Sequence, residues 1–171
     1  TGDREIVVIP EGVEGIDYDA FYDCESITTI EIPSSVTYIG ESAFENCTSL
    51  TSIEIPDSVT SIGEYTFYYC VSLTSITIPF VGQYADGSGK THFGYIFGAS
   101  SYSDNDDYVP SSLKEVIITG GESIGSSAFY NCTSLASITI PFVGQYADGS
   151  GQAHFGYIFG ASSYSDNDDY V

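Results

Sequence analysis

The sequence is poor in basic residues. It has 3 Lys and Arg against 24 Asp and Glu, a formal net charge of −21 over 171 residues. That shortage excludes a binder of the nucleic-acid backbone, which needs a basic surface to neutralise phosphates. It equally excludes docking on anionic lipid. Long apolar runs are also missing: none approaches the ~20 residues of a membrane-spanning helix, so membrane insertion is not expected. No basic stretch followed by an apolar stretch opens the chain, so no signal peptide is visible. Met and Trp are absent, and His92 and His154 are the only two histidines. A catalytic histidine needs a nucleophile or a positioned carboxylate. Neither stands at a recognised spacing, so both histidines are expected at an exposed or edge position beside an aromatic ring. The chain is therefore not expected to be an enzyme, and no cofactor is expected. Cys24, Cys47, Cys70 and Cys132 are 23, 23 and 62 residues apart. That pattern lacks the short pairs of a zinc site or a redox motif.

What is present argues for a folded chain. Hydrophobic residues make up 42% and aromatics 15%, with 15 Tyr and 10 Phe, which a disordered acidic chain does not carry. The length fits one domain or two small ones. The dominant signal is an internal repeat. Ile16, Ile39 and Ile62 recur every 23 residues, as do Phe21, Phe44 and Phe67, and then Cys24, Cys47 and Cys70. Ile27, Leu50 and Leu73 follow, then Ile30, Ile53 and Ile76, and each unit closes on Pro33, Pro56 or Pro79. Val7, Ile9 and Pro10 fit the same slots one unit earlier. Ile124, Phe129, Cys132, Leu135, Ile138, Ile140 and Pro141 form a further copy.

One unit is enlarged. The leucine slot steps through 50, 73, 113 and 135, so one step is 40 residues long. His92 to Phe97 is expected to replace the usual Ile-Gly-x-x-x-Phe segment there. The enlarged segment is duplicated, residues 80–109 and 142–171 being identical at 28 of 30 positions. The chain thus reads as a single solenoid over 1–171 with enlarged insertions at 80–112 and 142–171.

Ser52-Ile53-Glu54-Ile55 and its equivalents alternate apolar and polar, as half-buried strands do. Pro ends each strand because it has no N–H for the ladder. Phe44 and Cys47 are three apart, so a helical turn would place both inward. A 23-residue coil cannot bury its own apolar side, but stacked coils form continuous ladders of Ile, Phe, Cys and Leu. Their strands then pair in parallel about 4.8 Å apart.

Leu50-Thr51-Ser52-Ile53-Glu54-Ile55-Pro56-Asp57-Ser58-Val59-Thr60-Ser61-Ile62-Gly63 closely resembles the bacterial-surface leucine-rich repeats called BspA-like. The resemblance implies an α/β solenoid of the leucine-rich-repeat kind. Parallel strands would line its concave face and short helical turns or irregular segments its convex side. It also implies export, attachment to the bacterial cell surface, and adhesion to or binding of host molecules. Both ends fall within the pattern, so the chain reads as a piece of a longer array whose signal and anchor lie elsewhere.

The cysteines could cross-link coils or hold metal, but Cys beside Phe and Leu slots with no His reads as a small buried hydrophobe. Phe21, Phe44, Phe67 and Phe129 share that structural ladder. In the run Ser103–Asp107, Asp104, Asp106 and Asp107 resemble the alternating carboxylates of a calcium loop, with Asp166 and Asp168 in the duplicate. No glycine follows in place and no later Glu closes the site, so a solvated loop is the expectation. Asp86-Gly87-Ser88-Gly89 and its duplicate are turn signals. Tyr84, Tyr95, Tyr102 and Tyr108, with Tyr146, Tyr157 and Tyr164 in the duplicate, are the candidate binding residues, the alternative being that these rings cover the loop's own small core. Tyrosine joins apolar area to a hydrogen-bonding tip, which suits sugar stacking or protein contact. The outward strand positions, from Thr29 and Glu31 to Ser137 and Thr139, are small and polar. The sequons at Asn46 and Asn131 fall in the core-facing turn and are discounted. The expected role is a monomeric interaction module for an extracellular protein or glycan. The alternative is a spacer or stalk that displays another domain.

Overall fold

A computed structural model describes residues 5–151 and 154–161. The chain winds as a solenoid of short parallel strands. The longer strands are β1 (Glu5–Val8), β3 (Ile27–Glu31), β5 (Ser52–Glu54), β7 (Ser75–Ile78), β8 (Glu115–Ile118) and β9 (Ser137–Thr139). A second row holds β2 (Gly15–Ile16), β4 (Tyr38–Ile39) and β6 (Ser61–Ile62). Strand β1 pairs with β3, the order β5-β7-β8-β9 continues the first row, and β2-β4-β6 forms the second. The main-chain N–H of Thr51 donates to Thr28 at 3.3 Å and so joins the two parts of the first row. Register follows the repeat: Ile53 faces Ile76, Ile76 faces Val116 and Val116 faces Ile138.

The strands before Pro10, Pro33, Pro56, Pro79 and Pro141 end where the sequence predicts, while β8 runs into Thr119 and Gly120 without a proline. Pro56 cannot extend the ladder, and its carbonyl instead accepts from Val59 N–H at 3.0 Å, turning the chain. Pro10 with Val13 and Pro33 with Val36 repeat the turn at 3.3 and 3.1 Å. Threonine hydroxyls reinforce the stacking. Thr51 donates to the carbonyl of Thr28, Thr74 to that of Thr51, and Thr60 to that of Thr37, each 23 residues back.

The core is a set of ladders. Phe21, Phe44 and Phe67 stack with ring centroids 5.4 and 5.5 Å apart and nearly parallel planes. Ile39, Leu50, Ile53, Ile62, Leu73 and Ile76 are buried beside them. Full burial of such a side chain contributes about 1.5–3 kcal/mol, so the stacked slots carry the stability that one coil alone lacks.

Of the two expected forms of the convex side, the regular coils take the irregular one and not the short helical turn. Phe44 to Cys47 is a run of turns, in which Glu45 N–H donates to Ser42 and Cys47 N–H to Phe44. Alternate residues donate instead to the next coil: Ser42 to Glu64, Phe44 to Thr66 and Asn46 to Tyr68, at 2.9–3.0 Å. Two residues per coil take left-handed backbone to allow this. Asp19, Ser42, Tyr65 and Ser127 fill one such position, and Asp23, Asn46, Tyr69 and Asn131 the other, with φ between 53 and 61°. The three-residue spacing of Phe and Cys fits a turn series as well as a helix. Inter-coil hydrogen bonds, which an α-helical turn cannot make, favour the turns.

The enlarged unit fills its place in the stack with a 3₁₀ helix, Phe93–Phe97. Phe67 N–H donates to Ile96 and Phe93 N–H to Ala128, both at 2.8 Å. Phe97 lies 6.2 Å from Phe67, and Phe93 lies 4.9 Å from Phe129. Two phenylalanines thus bridge the ladder where a regular coil uses one. The duplicate repeats the helix at Phe155–Phe159, with Phe159 6.2 Å from Phe129.

Candidate functional site

Among the cysteines, all four are free thiols; Cys47 and Cys70 are buried, while Cys24 and Cys132 are partly exposed. The Cys47 thiol donates to the carbonyl of Phe21 at 3.3 Å and Cys70 to that of Phe44 at 3.2 Å. Burial pushes the Cys47 thiol up to about 12, with Cys24 nearby adding to the rise. Thiols held protonated make poor nucleophiles and metal ligands, and these two bonds tie each coil to the one before it. Among the described residues no three His, Cys, Asp or Glu side chains converge on a metal position.

The acidic run Ser103–Asp107 has a different task from the calcium pattern it resembles. Its central residue, Asn105, is fully buried. The side-chain carbonyl of Asn105 accepts from Gly94 N–H at 3.0 Å. Its amide donates to the carbonyls of Ala128 and Tyr130 at 3.1 and 2.8 Å. Asn105 therefore clamps the enlarged loop to the following coil. Asp104 accepts from the hydroxyls of Ser100, Ser101 and Ser103, and these bonds, Ser100 first, hold its carboxyl below its ordinary value. Asp166 and Asp168 lie outside the described residues, as does Tyr164.

The histidines are inside, not exposed or at an edge. His92 is buried and its Nε2–H donates to the Ala99 carbonyl at 2.8 Å. His154 is buried in the duplicate, edge-on to Tyr157 at 6.2 Å. The excursion that carries them folds back over the core, so a position that reads as loop surface becomes interior.

Tyr95 changes in the same way. It is only 5% exposed, because the 3₁₀ helix turns it toward His92, 6.2 Å away. Burial, then the nearby Glu64, push its hydroxyl up to about 12. Tyr95 offers no surface to a partner, and Tyr157 is half-buried. The other candidates are outside: Tyr84 and Tyr146 are each 40% exposed, and Tyr102 and Tyr108 are exposed as well. Tyr102 stands edge-on to Tyr130 at 5.9 Å, and Tyr108 lies 6.2 Å from Tyr68. Tyr65, Tyr68, Tyr69 and Tyr130 join this convex aromatic surface, with Tyr65 and Tyr68 edge-on at 5.7 Å. Sequence reasoning passed over these four. The signal was their variation within otherwise regular slots, where Ser42, Glu45 and Asn46 stand one coil earlier.

Tyr84 and Tyr146 belong to one extended ladder. Gly15 faces Tyr38 and Tyr38 faces Ser61 in the second row of strands. Ser61 then bridges Tyr84, and Ser123 bridges Tyr146. Main-chain bonds run without a break beside them: Thr60 to Thr37, Ala85 to Thr60, Glu122 to Ala85 and Ala147 to Glu122, at 2.9–3.2 Å. The enlarged units thus present tyrosine at alternate coils, each on a hairpin closed by an Asp. Asp86 accepts from Ser88 N–H at 2.8 Å, and Asp148 from Ser150 N–H at 2.9 Å. Gly87 and Gly89 there have φ of 75 and 72°, which glycine adopts without cost.

A recess of about 570 Å³ opens beside Tyr84, lined by Thr60, Ala85, Asp86, Gly121 and Glu122. On the strand face, Thr29, Glu31, Ser52, Glu54, Ser75 and Thr77 line a groove of about 530 Å³ that holds no aromatic ring.

Comparison with known proteins places these features in context. Residues 3–86 and 105–147 match the BspA-type leucine-rich-repeat region in six copies. Curated proteins give no match. Among solved structures, a leucine-rich cell-surface protein of Faecalibacterium prausnitzii is similar at 29% identity and a TM-score of 0.59. That match covers 92% of this chain and 35% of the other. A leucine-rich-repeat protein of Bacteroides ovatus gives 28% and 0.53, over 81% of this chain and 31% of its own. The T. pallidum leucine-rich-repeat protein gives 28% and 0.50, over 78% and 68%. The chain therefore spans about a third of the B. ovatus and F. prausnitzii proteins. Among the described residues no helix is long and apolar enough to cross a membrane.

Proposed function

Because the chain belongs to the BspA-type leucine-rich-repeat family, we propose that it is a non-catalytic interaction module of a bacterial cell surface, binding an extracellular protein or glycan. The observation that carries this reading is the pair of tyrosines, Tyr84 and Tyr146, held half-exposed at equivalent places on duplicated hairpins. A rigid stack of coils sets their spacing, and recognition residues commonly sit on loops that a scaffold positions. Tyrosine supplies large contact area at low conformational cost. The small polar side chains of the strand face offer no comparable anchor. The likeness to a protein described as a cell-surface one supports the location.

The test is a binding screen against immobilised extracellular-matrix proteins and glycans, run with two sets of variants. Tyr84→Ser with Tyr102→Ser alters the loop side, and Glu54→Lys alters the strand groove. The reading expects loss of binding from the loop variants and little change from Glu54→Lys. Loss from Glu54→Lys alone would move recognition to the strand face and refute it.

A further inference from the structure

The surface around Tyr84 and Tyr146 carries a second kind of information: the charge and spacing of what it holds. The recess at Tyr84 sets one aromatic face beside two carboxylates, Asp86 and Glu122. Glu122 stands between the two tyrosines in the ladder, since it bonds to Ala85 on one side and its carbonyl accepts from Ala147 on the other. Asp148 repeats the place of Asp86 beside Tyr146. Hydrogen bonds from Ser88 and Ser150 hold the carboxyls of Asp86 and Asp148 below their ordinary value, so both are charged at neutral pH. The lysines are directed elsewhere: Lys90 toward the carbonyl of Ser100, and Lys114 toward those of Ser111 and Ser134.

An aromatic face flanked by carboxylates attracts a cation through both the ring quadrupole and direct charge. The spacing narrows the choice further. Tyr38, Tyr84 and Tyr146 recur every second step of the ladder, and two strand spacings are about 10 Å. Three residues of a polyproline-II chain make one full turn, rise about 9 Å and bring the side chain back to the same face. We propose that this ladder is a docking track for a cationic polyproline-II peptide segment, which lays a Lys or Arg on each tyrosine face at every third residue, between Asp86, Glu122 and Asp148. The occupant is argued from charge complementarity with a chain of net charge −21. The proposal rests on the interaction reading above and specifies its partner. Two equivalent stations on one rigid track would make binding bivalent, so modest contacts sum to useful affinity.

The probe is a synthetic peptide of repeated Arg-Pro-Pro, titrated against the folded chain at low and moderate salt. Its controls are the same peptide with citrulline for arginine and a composition-matched peptide with its arginines contiguous. The expected result is salt-sensitive binding of the repeated peptide, weaker binding of the contiguous one and none of the citrulline form. Tyr84→Ser and Tyr146→Ser should each weaken it about tenfold, Glu122→Gln should weaken it as well, and Tyr84→Phe, which keeps the ring, should preserve it. Circular dichroism melts confirm that each variant is folded. Absence of peptide binding, equal binding of the citrulline form, or indifference to both tyrosine variants would overturn the proposal. If matrix or glycan binding in the screen still depends on Tyr84 while the peptide fails, the cationic partner is refuted and the interaction module stands. If neither assay depends on the tyrosines, both fail.

Discussion

The thiol of Cys70 donates to the main-chain carbonyl of Phe44, 3.2 Å away in the preceding coil. Cys47 makes the same bond to Phe21 at 3.3 Å, so the cysteine slot joins coils as well as filling space. Reactivity follows. Native protein treated with a thiol-directed alkylating agent at mildly alkaline pH should leave Cys70 and Cys47 unlabelled, and unfolding should expose all four cysteines. Mass mapping of the label checks this. Rapid native labelling of Cys70 would contradict the buried ladder.

Asn105 carries three hydrogen bonds, one to Gly94 within the enlarged loop and two to Ala128 and Tyr130 of the next coil. Asn105→Ala leaves a buried N–H and two carbonyls without that partner, at a cost of about 2–3 kcal/mol or roughly 5–10 °C in apparent Tm. Asp106→Asn, next to it and exposed, should change the melt little. A scanning melt of both variants separates the clamp from the acidity of the run.

Tyr69 pays for its backbone. It has a φ of 61° where the equivalent residues are Asp23, Asn46 and Asn131. Left-handed conformation costs a bulky residue roughly 1–2 kcal/mol and asparagine less. Tyr69→Asn should therefore raise stability by about 1 kcal/mol in denaturant titration. A tyrosine at a strained, exposed place fits a surface that meets a partner.

Alkali should weaken the fold. Burial raises the thiols of Cys47 and Cys132 from 9.0 to about 12, and the hydroxyl of Tyr95 from 10.0 to about 12. The folded chain thus keeps protons that the unfolded chain has already released. The associated stability is complete below pH 9.0, the ordinary thiol value, and is lost as pH rises toward about 12. Denaturation midpoints measured across that range should fall, and Tyr95→Phe should make the fall shallower.

The regular coils were legible because each slot is written several times. The 23-residue period of Ile39, Phe44, Cys47 and Leu50 by itself specifies the ladders and the parallel strands. For the convex side the sequence left two forms open: Phe and Cys three apart satisfy a helix and a turn series alike, and the choice lies in bonds such as Asn46 to Tyr68 between coils. The enlarged unit was harder still. His92 and Tyr95 become interior only because Phe93 and Phe97 bridge Phe129 and Phe67, a relationship no local pattern states. Asn105 was hidden for a similar reason, as one amide within an acidic run. The glycine-rich turns beside Tyr84 and Tyr146, by contrast, were legible as turns.

The central claim is that the two duplicated hairpins act as paired recognition elements. Binding curves for wild type, Tyr84→Ser, Tyr146→Ser and the double variant should be measured against the matrix protein or glycan that binds most tightly. The account predicts a loss of about tenfold for each single variant and near-complete loss for the double. A double variant that folds and binds as well as wild type would contradict it.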